Sequence, residues 1–250
     1  MNAEQLFRAG KLAESISALN STLRENPSDS RSRTFLFELL CFVGDYDRAE
    51  KQLSILEQES EKESMLGMLF YRAALNAERM RQDMFENGTY PRYSADGVGS
   101  PSIRGKLNGK EFHSLSDADS RFAGKFELFA AGDYLWVSIQ DIARIHIEQP
   151  KRLRDLLWLP ARVLTGPTFR SRELGDVLFP AISPLSWQHP DDEVRLGRVT
   201  EWCQDEAGEV APFGQKTLLV DGEEFPFLEV RELEIYPQTL SESADAPPAQ

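Results

Sequence analysis

Two stretches 34 residues apart constrain this chain more than anything else in it. Gly10 to Ser15, GKLAES, and Gly44 to Ala49, GDYDRA, are each a short polar break between apolar runs, and the same offset carries Leu6 onto Leu40 and Leu19 onto Leu53. A glycine followed five positions later by a small residue suits a tight turn between two close helices. Glycine accepts the left-handed backbone that ends the first helix, and the small side chain lets the second approach. Leu12, Ile16, Leu19 and Leu23 form one helical stripe, which Leu53 and Leu56 continue in the second copy. From Ala3 to Phe85 there is a single proline, Pro27; Asn26-Pro27 closes the first unit and Ser28-Asp29-Ser30 can cap the next helix. The spacing predicts a pair of helical hairpins, followed over 62–86 by one long capping helix.

The period of 34 with a glycine at each turn resembles a tetratricopeptide repeat, a helix-stacking unit that belongs to binding scaffolds more than to enzymes. In that reading Gly44 makes the turn, Tyr46 plugs between helices and Ala49 sits at their closest approach. The first copy has a shortened first helix and Ser15 in place of Ala49. A free-standing array normally needs three repeats, so this one must lean on the rest of the chain.

The period changes after residue 86. The stretch NGTYPRYSADGVGSP, Asn87 to Pro101, is punctuated by Gly88, Gly97, Gly99, Pro91 and Pro101 and reads as a domain boundary. Beyond it apolar residues recur every second position in KFELF, YLWVSI, ARIHIE, ARVLT, DVLFPAI, KTLLV and FPFLEV, with AAGD and Asp221-Gly222 as hairpin turns and PKRLRDLL as a short helix. The expected architecture is α+β in two domains. Tetratricopeptide-like helical hairpins occupy 1–88, a linker 89–102, a mostly antiparallel β sheet or small barrel 103–238, and a disordered tail 239–250.

Charge limits the partners. Residues 1–90 carry 11 basic and 15 acidic side chains, residues 91–188 carry 13 and 11, and residues 189–250 carry 4 and 15, within a net charge of −13. An acidic field repels phosphate backbones, so nucleic acid is not an expected ligand; the basic cluster Lys151, Arg152, Arg154 and Arg162 reads as a solvated face. No apolar run is long enough to span a membrane and MNAEQLFRAG has no signal-peptide profile, so a cytoplasmic protein without a membrane partner is expected. Cys41 and Cys203 read as separate buried thiols.

Two stretches hold clustered carboxylates. Asp117, Asp119 and Arg121 in DADSR could do acid–base work, but without a neighbouring histidine or nucleophile they read as a turn whose carboxylates cap backbone N–H groups and pair with Arg121. His189, Asp191, Asp192 and Glu193 in WQHPDDE could bind a divalent metal, but neighbours in one loop rarely complete a coordination shell. GKLNGKE lacks the spacing and the hydroxyl of a phosphate loop. No cofactor is expected. His113 and His146 read as structural, Trp136, Trp158 and Trp202 as core, and Trp187 as the exposed tryptophan.

The stretches SLSDADSRF, GDYLWVSIQDIARIHIEQPKRLRDLLWLPARV, RLGRVTEWCQ, FGQKTLLVDGEEFPFLEVREL and YRAALNAERMRQDMF together resemble the ImpE/TagJ family of type VI secretion accessory proteins. The resemblance covers most of the chain, but a glycine-rich loop after Phe85 stands where members often carry further helices. It implies a non-enzymatic adaptor that binds the N-terminal helical part of the small contractile-sheath subunit and is linked to the AAA+ ATPase that recycles sheaths. The alternative is a small hydrolase or metalloenzyme built on DADSR or WQHPDDE. For the adaptor, Arg31, Thr34, Glu38, Cys41 and Phe42 fall on one face of the helix before GDYDRA, a face that reads as too polar to be buried; Arg72 and Asn76 continue it on the next helix. These seven residues are the expected docking surface for an amphipathic helix.

Overall fold

The computed structural model describes residues 1–59, 65–91, 103–122, 124–170, 173–204 and 210–237. Five helices come first: α1 (Ala3–Arg8), α2 (Leu12–Glu25), α3 (Ser30–Phe42), α4 (Tyr46–Glu59) and α5 (Met65–Glu86). The two turn glycines have the expected left-handed backbone, φ +72° at Gly10 and +71° at Gly44. Leu6, Leu19, Leu40 and Leu53 are all buried, as the 34-residue offset requires. Ser15 and Ala49 are equally enclosed, and the Ser15 hydroxyl satisfies itself by donating to the Ala3 carbonyl at 2.8 Å. Asp29 caps α3, its Oδ1 accepting from the Ser32 amide at 3.0 Å, which holds the carboxyl below its usual range. Most of the 89–102 linker and all of the 239–250 tail lie outside the described residues.

The rest is antiparallel. An eight-stranded sheet runs in the order β2-β1-β13-β6-β7-β8-β4-β5, with β1 (Gly105–Leu107), β2 (Lys110–Phe112), β4 (Lys125–Ala130), β5 (Asp133–Ser138), β6 (Ile142–Ile147), β7 (Trp158–Thr165), β8 (Gly175–Pro180) and β13 (Glu232–Ile235). A three-stranded sheet joins β3 (Leu115–Asp117) to β11 (Thr217–Val220) and β12 (Glu223–Pro226), and β9 (Thr200–Gln204) pairs with β10 (Val210–Gly214) as a separate ribbon. The hairpin at Asp221-Gly222 has positive φ at both positions, 53° and 86°, and pairs Val220 with Glu223. GKLNGKE is a second such hairpin: Asn108-Gly109 turns β1 into β2, with φ 49° and 84°. FPFLEV leaves the ladder at Pro226 and becomes a 3-10 turn over Phe227–Glu229. PKRLRDLL likewise supplies a 3-10 turn, Leu153–Leu156.

Strand alternation sorts the side chains of β4 onto two faces. Phe126 and Leu128 enter a core internal to the β-rich part, together with Phe179, Leu218 and Phe227. Phe129, with Tyr134 and Trp158 of neighbouring strands, points the other way into a core shared with Phe37, Phe42, Leu75 and Phe85 of the helices. Part of the sheet's second face is therefore covered by helices rather than by water. Among the described residues no helix is long and apolar enough to cross a membrane.

The tryptophans depart from expectation in two places. Trp202, on the two-stranded ribbon, is 42% exposed. Trp187 is instead half-buried, stacked against Gly44 so closely that a Cβ added there would lie 2.5 Å from its Cδ2. The strand that carries Trp202 is largely exposed, whereas a loop of the β-rich part carries Trp187 onto the helices. Cys41 is buried; Cys203 is half-buried and, like Cys41, free.

Candidate functional site

The seven residues expected to form one open face are not assembled that way. Arg31 is exposed and pairs with Glu4 at 3.0 Å, and the Thr34 hydroxyl is bound to the Ser30 carbonyl of its own helix at 2.9 Å. Glu38, Cys41 and Phe42 are 8%, 4% and 3% exposed, so the polar face does go inward. The reason is that the β-rich part presses on the C-terminal half of α3. Phe37 meets Trp158 at 6.5 Å between ring centres, and Leu157 and Trp158 close over Cys41 and Phe42. Glu38 is tolerated there because it accepts from the Tyr71 hydroxyl at 3.2 Å; burial still pushes its carboxyl up to about 7. Arg72 is taken by Glu57 at 2.6 Å and Glu50 at 3.0 Å. Asn76 is exposed and reaches the Gly132 carbonyl at 3.5 Å.

Between α5 and the sheet lies a buried ionic cluster that sequence reasoning did not single out. Arg81 grips Glu127 with two contacts, Nε at 2.6 Å and Nη2 at 2.9 Å, while its Nη1 reaches Glu78 at 3.0 Å and Nη2 also donates to the Ile182 carbonyl at 2.8 Å. Lys216 Nζ lies 2.7 Å from Glu127 and 2.8 Å from Asp117. Tyr134 and Trp158 complete it, the phenol donating to Glu127 at 2.9 Å and the indole to Glu78 at 3.0 Å. Burial drives the Glu127 carboxyl up, but Arg81 and Lys216 outweigh it and hold it down at about 2. At Asp117 burial prevails over Lys216, and the carboxyl sits at about 6. A pair so desolvated is held by geometry, and removing one partner leaves an uncompensated charge.

DADSR belongs to this structural apparatus. The Asp117 carboxylate accepts from the Asp119 amide at 3.0 Å, and Asp119 accepts from the Arg121 amide at 3.0 Å and pairs with its guanidinium at 2.6 Å. Both carboxylates are buried. WQHPDDE is likewise engaged. Asp191 caps the short helix α6 (Asp192–Arg195), accepting from the Glu193 amide at 2.9 Å. Asp192 accepts from the Leu12 amide at 2.9 Å and so caps α2, whose own N-cap residue, Lys11, makes no side-chain capping bond. Glu193 seats its carboxylate against Gly10 and pairs with Arg198 at 3.0 Å; Arg198 in turn donates to the Phe7 carbonyl at 2.7 Å. This stretch and Trp187 thus clamp both helical turns. Among the described residues no three His, Cys, Asp or Glu side chains converge as a metal site.

What the chain leaves open is a groove of about 880 Å³ between the N-terminal half of α5 and the helix-facing side of the sheet. Its floor includes Tyr71, Phe129, Trp158 and Leu178. Leu69 and Phe70 form one wall and are 58% and 62% exposed. Lys151, Arg152, Arg154 and Arg162 line it as well, so the basic cluster is solvated, with Lys151, Arg152 and Arg162 exposed, and borders a cleft. Arg154 stacks on Tyr71, 4.8 Å from the ring centre. The signal available in the sequence was the apolar pair Leu69-Phe70 and the basic run; that they line one groove depends on how α5 lies on the sheet.

Comparison with known proteins agrees with this arrangement. The sequence model described as ImpE protein matches residues 109–234. The chain is 30% identical over 267 aligned residues to the Pseudomonas aeruginosa protein "Type VI secretion system accessory component TagJ", covering 95% of this chain and 92% of that protein. Its fold is that of protein VPA1032 from Vibrio parahaemolyticus, whose crystal structure superposes with a TM-score of 0.79 at 21% identity, over 95% of this chain and 98% of that one. The helices-on-sheet architecture, the matched β-rich region and the near full-length alignment lead to one assignment: the chain belongs to the ImpE family and has TagJ, a type VI secretion accessory component, as a homologue.

Proposed function

We propose that the protein is a non-enzymatic adaptor of type VI secretion that binds the N-terminal helical part of the small contractile-sheath subunit and assists sheath turnover by the AAA+ ATPase. The observation that carries this reading is the alignment with TagJ across 95% of the chain, which includes the helical part as well as the β-rich part. The chemistry of the carboxylate clusters supports it, because Asp117, Asp119, Asp191 and Asp192 are all engaged in caps and ion pairs within the chain. We place the docking surface away from the α3 face, because Glu38, Cys41 and Phe42 of that face are buried.

Isothermal titration of the full chain with a peptide spanning the N-terminal helical segment of the sheath subunit, and with the whole subunit, tests the reading. A one-to-one complex with a Kd in the micromolar range, about −8 kcal/mol, is expected. Absence of heat and of co-elution with both forms of the subunit would overturn it.

A further inference from the structure

The groove beneath α5 has two unlike walls, and that asymmetry selects a ligand. On one side Leu69 and Phe70 stand more than half exposed on successive positions of a helix. Apolar side chains so placed beside a cleft mark an interaction site more often than a chance exposure. The other side is cationic, in a chain whose net charge is −13. Its charges are not all equally free. Lys151 is paired with Glu148, and Arg154 lies 3.6 Å from Asp155 while stacking on Tyr71. Arg162 only brushes Asp176, at 4.0 Å with both side chains largely in solvent, and Arg152 has no ion pair among the described residues. Arg152 and Arg162 are thus the two guanidinium groups available to an incoming carboxylate.

We infer that this groove takes an amphipathic helix whose apolar stripe lies on Leu69 and Phe70 and whose acidic flank meets Arg152 and Arg162. The inference rests on the adaptor reading for the identity of the partner and adds the site and the chemistry to it. A strand is a poor occupant, because the sheet strands along the groove, β7 and β8, are interior strands with both edges already paired. A helix about 10–12 Å across needs no backbone partner and can lay one face into such a channel. Nucleic acid is disfavoured, since Glu148, Asp155 and Asp176 line the same groove and would repel a continuous phosphate backbone.

Fluorescence anisotropy on the full chain tests this with three labelled probes: the sheath-subunit N-terminal peptide, a model amphipathic helix flanked by glutamates, and the same helix flanked by lysines. The variants are Arg152→Glu with Arg162→Glu, and separately Phe70→Ser, all at exposed positions, with melting temperature as the folding control. Both acidic-compatible probes should bind the unaltered chain, more weakly as salt rises, and each variant should lose at least tenfold in affinity, about 1.4 kcal/mol. The lysine-flanked helix should bind at least tenfold more weakly than its glutamate counterpart. If the sheath peptide binds both variants as well as the unaltered chain, the groove is not the site while the adaptor reading stands. If the sheath peptide fails but the glutamate helix binds in a groove-dependent way, the adaptor reading falls and the groove's specificity survives. Failure of both probes, or preference for the lysine-flanked helix, overturns the inference.

Discussion

Glu38 carries a charge into a place made for apolar side chains. Burial penalises its ionised form more than the Tyr71 hydroxyl and Arg154 favour it, and Asp155 adds to the penalty, so its carboxyl titrates near 7 instead of 4.5. The folded protein therefore binds this proton more tightly than the unfolded chain does. The resulting stabilisation is complete below about pH 4.5 and is lost as pH rises through 7. Glu38→Gln keeps an acceptor for Tyr71 and removes the charge. We expect it to stabilise the protein by about 1–3 kcal/mol at pH 8, with the gain vanishing toward pH 4.5; denaturant melts of both proteins across that range would show it, and an equal or lower stability of the variant at pH 8 would refute it. Glu127 is the opposite case. It is more deeply enclosed, yet two cations hold it ionised, so its contribution is present above 4.5 and lost only as pH falls toward about 2. No local pattern in KFELF distinguishes it from an ordinary solvent-facing glutamate.

At the scale of elements, the glycine turns do more than reverse the chain. Each is also a seat for the segment that follows β8: Glu193 rests on Gly10 and Trp187 on Gly44. Gly44→Ala should cost about 2–3 kcal/mol, part from left-handed backbone and part from the clash with the indole. In a Trp187→Ala background the same substitution should cost only the backbone part, about 1 kcal/mol. A double-mutant cycle read by chemical denaturation measures the difference, and strict additivity would show that the turn and the tryptophan do not communicate. The elements themselves were legible to different degrees. Helices α2 to α5 and the hairpins at Ala131-Gly132 and Asp221-Gly222 follow from local periodicity and turn chemistry. The hairpin at Asn108-Gly109 carried the same turn signal, but strands of three residues are too short to display a period.

For the whole molecule, the central fact is a core shared between helices and sheet. Phe37, Phe42, Leu75 and Phe85 pack with Phe129, Tyr134 and Trp158, and Arg81 finds its counter-charge across the same boundary. Residues 1–88 expressed alone lose these partners and strand Arg81 and Glu78 without Glu127 and Trp158. That fragment should show no cooperative, monomeric thermal transition by circular dichroism, whereas the full chain should melt cooperatively. A cooperative transition of the isolated fragment would contradict this account of the interface.

The sequence by itself determined the helical repeat, the α+β order of elements and the capping and turn residues, because each rests on spacings within a few dozen residues; the kinship with type VI secretion proteins came instead from the resemblance of stretches spread along most of the chain. It placed the docking face on α3 since Arg31, Thr34, Glu38, Cys41 and Phe42 do share one side of that helix. Which surfaces stay open was decided only by the tertiary structure. The β-rich part covers Glu38, Cys41 and Phe42, buries Glu127, and turns WQHPDDE into a clamp. It leaves Phe70 and Arg152 lining one groove instead, because burial and charge pairing depend on contacts between residues 46 to 180 positions apart, and no periodicity within one element records what the far end of the chain will lay upon it.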